Sequence, residues 1–190
     1  MKLAGKTDVG RVRQDNQDDY RAGELPGDAA WLLVCDGMGG ANAGNVASRF
    51  AAQSFIESAG DALSGTLDET ARQNLLTQAL KQANETVFSL AGRQPEFRGM
   101  GTTLVAALIQ GDCATVINVG DSRAYHISAD GISRVTKDHS LVESMVDRGD
   151  ITPEEARHHP NRNLITRALG PDMSALSDGY ICPMAAGDFL

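Results

Sequence analysis

The chain has 190 residues, enough for one domain that buries roughly 70% of its unfolded surface. Lys and Arg number 17 against 25 Asp and Glu, a net charge of −8 that argues against a broad basic surface for nucleic acid. No apolar run approaches the ~20 residues of a membrane span, and no basic segment followed by an apolar stretch marks a secretory leader. A monomeric cytoplasmic protein with neither nucleic acid nor membrane as partner is expected.

In chain order, residues 3–7 read as a first strand. A polar cluster follows, Thr7-Asp8-Val9-Gly10-Arg11-Val12-Arg13-Gln14-Asp15-Asn16-Gln17-Asp18, in which Arg13 offers a planar fork for a phosphate or carboxylate and Asp18 an oxygen ligand. Residues 20–22 and 30–35 read as strands, the second a buried run, Trp31-Leu32-Leu33-Val34-Cys35. An amphipathic helix is marked by Val46, Phe50 and Ser54 beside Ala47, Ala51 and Phe55. Another opens on Thr66-Leu67-Asp68-Glu69, a capping-box pattern, and carries the stripe Leu76, Leu80, Ala83, Val87, Leu90. A β-rich stretch is then predicted over 102–109, 114–119, 123–127 and 132–136, with Gly111-Asp112 and Asp130-Gly131 as hairpin turns. Short helices are expected over 141–148 and 153–157, the latter with Pro153 in its first turn.

Chemistry concentrates where strands end. Asp36-Gly37-Met38-Gly39-Gly40 places a carboxylate after an apolar strand, followed by three glycines in four residues. An aspartate there is costly unless paired or metal-bound, and glycine lets the backbone approach a ligand. One reading is a carboxylate and a carbonyl aimed at a hard divalent cation; the other is an ordinary Asx-type turn. Asn118-Val119-Gly120-Asp121-Ser122-Arg123 repeats the pattern, with a structural turn again the plain alternative.

These motifs resemble the metal-dependent serine/threonine phosphatases of the protein phosphatase 2C family in their bacterial form. Six blocks stand in family order: Thr7–Asp18, Asp36–Gly40, Gly101–Thr103, Gly120–Arg123, Thr136–Ser140 and Asn163–Gly170. The resemblance implies an α+β fold, a four-layer α-β-β-α sandwich of two mainly antiparallel sheets flanked by helices. It implies hydrolysis of phosphoserine and phosphothreonine by water activated on Mn²⁺ or Mg²⁺, two ions or three. Asp36 would bridge two metals with the Gly37 carbonyl beside it, Asp18 would hold metal-bound water, Arg13 would clamp the phosphate, and Asp121 would help hold a third ion. Partners would be phosphoproteins made by a serine/threonine kinase, and residues 140–163 would form a flap beside the site.

The pattern is departed from in places. Met38 stands where eukaryotic relatives carry a histidine thought to protonate the leaving group, and a thioether cannot act as an acid. Gln17 occupies a position where many relatives have an acid. His139 is the motif-linked histidine, expected to make a structural hydrogen bond, with Asp138 as the neighbour to orient it. Cys35, Cys113 and Cys182 are odd in number and widely spaced, which argues against a disulfide framework, a structural zinc and a thiolate-based phosphatase. The chain stops at Gly187-Asp188-Phe189-Leu190, before the family's two further metal-binding aspartates, so a domain with its C-terminal part missing, inactive by itself, is expected. The competing reading is a pseudophosphatase that binds phosphoproteins or metal without turnover.

Overall fold

The computed structural model describes residues 1–39 and 43–190. Its backbone is an antiparallel sheet covered on one face by two long helices. Strand β1 (Asp18–Leu25) turns at Pro26-Gly27-Asp28 into β2 (Ala29–Met38). Helices α1 (Gly44–Ala59) and α2 (Glu69–Arg93) follow, then β3 (Gly101–Thr102), β4 (Leu104–Gln110) and β5 (Cys113–Val119). A separate hairpin comprises β6 (Tyr125–Ser128) and β7 (Gly131–Arg134); after α3 (Leu141–Asp147) and α4 (Pro153–His158), β8 (Asp178–Pro183) returns to the main sheet. The order in that sheet is β1-β2-β4-β5-β8, with β3 pairing the end of β2.

Alternation along the strands separates the two faces. Leu33 and Cys35 of β2, Leu104 and Leu108 of β4, and Ile117 and Val119 of β5 are buried against the helices. The stripe foreseen on α1 supplies Ala47, Ala51 and Phe55 to this core, and that on α2 supplies Leu76, Leu80, Ala83 and Val87. Small alanines on α1 let the helices and sheet approach closely, while each fully buried leucine contributes roughly 1.5–3 kcal/mol. Asp68 caps α2 by accepting the Ala71 N–H at 2.7 Å, so the cap is Asp68 rather than the expected Thr66.

The opposite face is lined by Val105, Ala107, Ile109, Ala114, Val116 and Cys182. Hairpin β6–β7 and the N-terminal segment lie over part of it, leaving a groove of about 580 Å³ bordered by Thr7, Asp18, Tyr20, Val34, Val105 and Tyr125. Residues 3–7, expected as a strand, run without strand hydrogen bonds, because among the described residues no strand lies beside them to complete a ladder. The expected strand 102–109 is interrupted at Thr103: its N–H keeps the in-register bond to the Asp36 carbonyl at 2.9 Å, but the reciprocal Asp36 N–H turns to Thr103 Oγ1 at 3.0 Å instead of the Thr103 carbonyl. Among the described residues no helix is long and apolar enough to cross a membrane.

Candidate metal and phosphate site

Register builds the heart of the site. In the β1–β2 pair, Asp18 stands directly opposite Asp36. Residues opposite one another in an antiparallel pair point to the same side, so both carboxylates lie on the sheet face away from α1 and α2, at its rim. Asp36 is the last acid of β2 before the glycines; the strand continues to Met38 rather than ending at Cys35. Gly40 of the motif lies outside the described residues.

The Asp36 main chain is held from several directions. Its N–H donates to Thr103 Oγ1 at 3.0 Å, and its carbonyl accepts from the Thr103 N–H at 2.9 Å and the Thr102 hydroxyl at 3.0 Å. Ser122 Oγ lies 2.7 Å from Thr103 Oγ1 and ties the turn after β5 to the same anchor. Gly37 donates its N–H to the Gln17 carbonyl at 3.0 Å. A Cβ on Gly37 would fall 2.0 Å from the Gly44 carbonyl oxygen, so the backbones of β2 and α1 touch here and only glycine fits.

Electrostatics sets this end of the sheet apart. The Asp36 carboxyl is pushed up to about 6, first by partial burial and then by the negative charges of Asp18 and Asp121, with Arg13 acting in the opposite sense. Half-buried Asp121 is raised as well, mainly by burial and further by Asp138. Arg13 is exposed, its Nη1 donating to Gln17 Oε1 at 3.4 Å. The Gln17 amide sits between Arg13 and the start of α1 at Gly44. Acids whose mutual repulsion raises a pKa suit a hard cation, and oxygen donors are what such a cation takes. The donor set here is partial: among the described residues no three His, Cys, Asp or Glu side chains come together as a metal-ready group.

Around this pair stand groups with other partners. Asp138 accepts Arg123 Nε at 2.8 and 3.1 Å and its Nη2 at 2.5 Å, so Asp138 serves Arg123 and does not orient His139. His139 is oriented by Asp178, with Nε2 3.1 Å from Oδ2. Neither Asp178 nor Asn84 was singled out from the sequence. The Asn84 amide accepts the Gly170 N–H at 2.9 Å and donates to the carbonyls of Asp172 and Met173 at 3.1 and 3.0 Å, pinning the loop after the Asn163–Gly170 block to α2. Thr102 and Thr103 lay within a block recognised in the sequence, but their grip on Asp36 depends on a strand pairing that spacing does not reveal.

Acidic strand ends gathered at the rim of an antiparallel sheet are an oxygen-donor arrangement of the kind a metal-dependent hydrolase uses. A sequence model described as protein phosphatase 2C matches residues 9–188, and the chain belongs to that family. It is 34% identical over 190 residues to the serine/threonine phosphatase stp of Listeria innocua, covering all of this chain and 75% of that protein. The crystal structure of serine/threonine phosphatase Stp1 from Staphylococcus aureus superposes with a TM-score of 0.85 at 37% identity, covering 94% of this chain and 69% of that one. The catalytic domain of the serine/threonine phosphatase PstP, in complex with two manganese ions, gives a TM-score of 0.77 at 33% identity, with 96% and 72% covered.

Proposed function

We propose that this chain carries the phosphate-binding and much of the metal-binding framework for hydrolysis of phosphoserine and phosphothreonine in proteins. The observation that carries this reading is the register pairing of Asp18 with Asp36, with Asp121 and Arg13 close enough to shift the Asp36 carboxyl in opposite directions. Asp36, Asp18 and the Gly37 carbonyl would hold Mn²⁺ or Mg²⁺, and Asp121 a further ion. Bound there, such ions supply charge neutralisation and a water acidic near neutral pH. The chain's own residues position the reacting groups: Thr102 and Thr103 fix the Asp36 backbone, and Arg13 takes the phosphate oxygens through its two-pronged guanidinium. Met38 closes β2 opposite Gly101 and offers no proton, so the leaving oxygen takes its proton from water rather than from a side chain at this position.

Hairpin β6–β7 and the N-terminal segment, facing the apolar side of the main sheet, support the second sheet of a four-layer sandwich as the architecture of the complete fold. The excursion 141–164, closed by the Ser140–Ile165 bridge, supports a flap reading for 140–163, with the remainder as one domain. Substrates are phosphoproteins from a serine/threonine kinase, met by a monomer.

The partial donor set favours a second reading for residues 1–190 taken alone, namely binding without turnover. Calorimetric Mn²⁺ titration and phosphate release from a phosphothreonine peptide separate the two. Residues 1–190 by themselves are expected to bind Mn²⁺ weakly and release no phosphate above background. The same residues joined to the C-terminal quarter of the Listeria innocua phosphatase are expected to bind tightly and turn over. Metal-dependent release by residues 1–190 alone would remove the need for donors beyond these, and a silent, properly folded hybrid would count against the phosphatase reading. In that extended protein Arg13→Ala is expected to raise KM about tenfold or more with a smaller fall in kcat, since a charged hydrogen bond is worth about 1.5–3 kcal/mol. Arg13 is exposed, so the fold should be spared; an unchanged KM for the phosphopeptide would refute the clamp.

A further inference from the structure

We propose that His139 is a positioning residue for Asp121: held in its Nε2–H tautomer by Asp178, it grips the Gly120 amide and thereby directs the Asp121 carboxylate toward the Asp18–Asp36 pair. This rests on the reading of Asp121 as a metal-holding group.

The grip is double. The His139 backbone N–H donates to the Gly120 carbonyl at 2.9 Å, and the Gly120 N–H donates back to His139 Nδ1 at 3.0 Å. His139 is only 5% exposed, so this exchange is shielded from water. The Asn118 amide adds a donor to the same carbonyl at 3.3 Å. Gly120 has φ +108°, and a Cβ there would strike Thr103 Cγ2 at 2.5 Å, so only glycine fits, and the two bonds with His139 hold its otherwise free backbone in place.

Chemistry fixes the tautomer. A backbone N–H pointing at Nδ1 requires an unprotonated Nδ1, which leaves the imidazole hydrogen on Nε2. Asp178 Oδ2 lies 3.1 Å from Nε2 to accept it; Arg167 Nη1, a donor only, stands 3.3 Å from the same Nε2 but has the shorter bond to Asp178 Oδ1 at 3.0 Å, which leaves Nε2 to Asp178. Partial burial raises the Asp178 carboxyl, but the His139 hydrogen bond and the Arg167 charge outweigh it and hold the group below the usual carboxylate range. A carboxylate that selects the tautomer and orientation of a histidine is a recurrent arrangement behind metal ligands, where losing it lowers affinity about 10–100-fold.

Asp121 therefore sits between two anchors. On one side Gly120 is tied through His139 to β8; on the other Ser122 is tied through Thr103 to the Asp36 backbone. The His139 carbonyl also accepts the Thr166 N–H at 2.8 Å, which joins the same unit to the base of the 141–164 excursion.

The test needs no catalysis. In residues 1–190, two-bond ¹H–¹⁵N spectra of His139 are expected to show the Nε2–H tautomer, and the Gly120 amide to exchange slowly. Asp178→Asn places an amide N–H donor at Nε2, which favours the Nδ1–H form; Gly120 exchange should then accelerate at least tenfold while global unfolding shifts little. His139→Asn keeps an acceptor where Nδ1 stood and should retain the slow Gly120 amide, whereas His139→Leu should lose it. Mn²⁺ added as a probe should broaden the Asp121 signals in wild type and His139→Asn at concentrations about tenfold below those needed in His139→Leu. An Nδ1–H tautomer in the wild type, or equal Gly120 exchange in His139→Asn and His139→Leu, would overturn the proposal. Expected tautomer and exchange with no Mn²⁺ effect at Asp121 in any variant would overturn the metal role of Asp121 and, with it, the final step of the proposal.

Discussion

Asp36→Asn is expected to do two opposite things: abolish Mn²⁺-dependent phosphate release in the extended protein, and stabilise the metal-free chain at neutral pH. The loss follows from charge. A neutral amide cannot offset two divalent cations as a bridging carboxylate does, although its shape is nearly the same. The gain follows from proton linkage. The folded Asp36 carboxyl titrates at about 6, above its ordinary value of 3.8. The folded state therefore holds a proton that the unfolded chain gives up, and stability is lost as pH rises from the ordinary value to about 6. Above that the deficit is constant, and Asn removes it. Thermal melts of the two proteins should coincide below about pH 4 and diverge in favour of Asn by pH 7. Equal melting points at pH 7 would mean that neither burial nor the charges of Asp18 and Asp121 burden Asp36, and residual turnover with saturating metal would remove it as the bridge.

Gly37→Ala should be the most damaging glycine-to-alanine change among the described residues. The added Cβ would meet the Gly44 carbonyl oxygen at 2.0 Å, its carbon at 2.5 Å and the Gln17 carbonyl oxygen at 2.7 Å, all backbone atoms with no rotamer to turn away. Relief requires β2 and α1 to part, and α1 carries Ala47, Ala51 and Phe55 of the main core. A cost above about 3 kcal/mol, at the upper end for overpacking, is expected. Gly111→Ala is the control: it has φ +63° with nothing within 4 Å, so only the left-handed backbone is penalised, at about 1–2 kcal/mol. Urea denaturation of both variants decides it, and a Gly37→Ala protein no less stable than Gly111→Ala would show that the contact relaxes freely.

Local pattern foretold what local pattern controls. The stripes on α1 and α2 lie on buried faces because a helix in a globular protein buries one side whatever its partner. The hairpin turns at Gly111-Asp112 and Asp130-Gly131 sit where backbone geometry demands them. β8 went unnoticed because Asp-Gly-Tyr-Ile-Cys-Pro alternates only weakly and ends in proline; its place is granted by the exposed edge of β5, through pairs such as Thr115 with Ile181. Residues 3–7 failed in the opposite way, having strand composition without a partner. At the site, Arg13, Asp18, Asp36, Gly37 and Asp121 could be singled out because motifs are contiguous. Their supports could not: Thr103 lies 67 residues from Asp36, and Asp178 lies 39 from His139. Adjacency misled at Asp138, whose charge is claimed by Arg123, 15 residues earlier.

The face-to-face placement of Asp18 and Asp36 also bears on the order of events during folding. β1 and β2 are joined by only Pro26-Gly27-Asp28, so their pairing closes a far smaller loop than the pairing of β2 with β4 or of β5 with β8. On loop length β1–β2 is among the local pairings, with β4–β5 across Gly111-Asp112, so the two acids are expected to confront each other early in sheet assembly. Their repulsion taxes the nucleus as well as the finished protein, and a one-residue slip that would part them also turns Leu33 and Cys35 away from the core. Screening of that repulsion by salt is accordingly expected to speed the chain's search for its register.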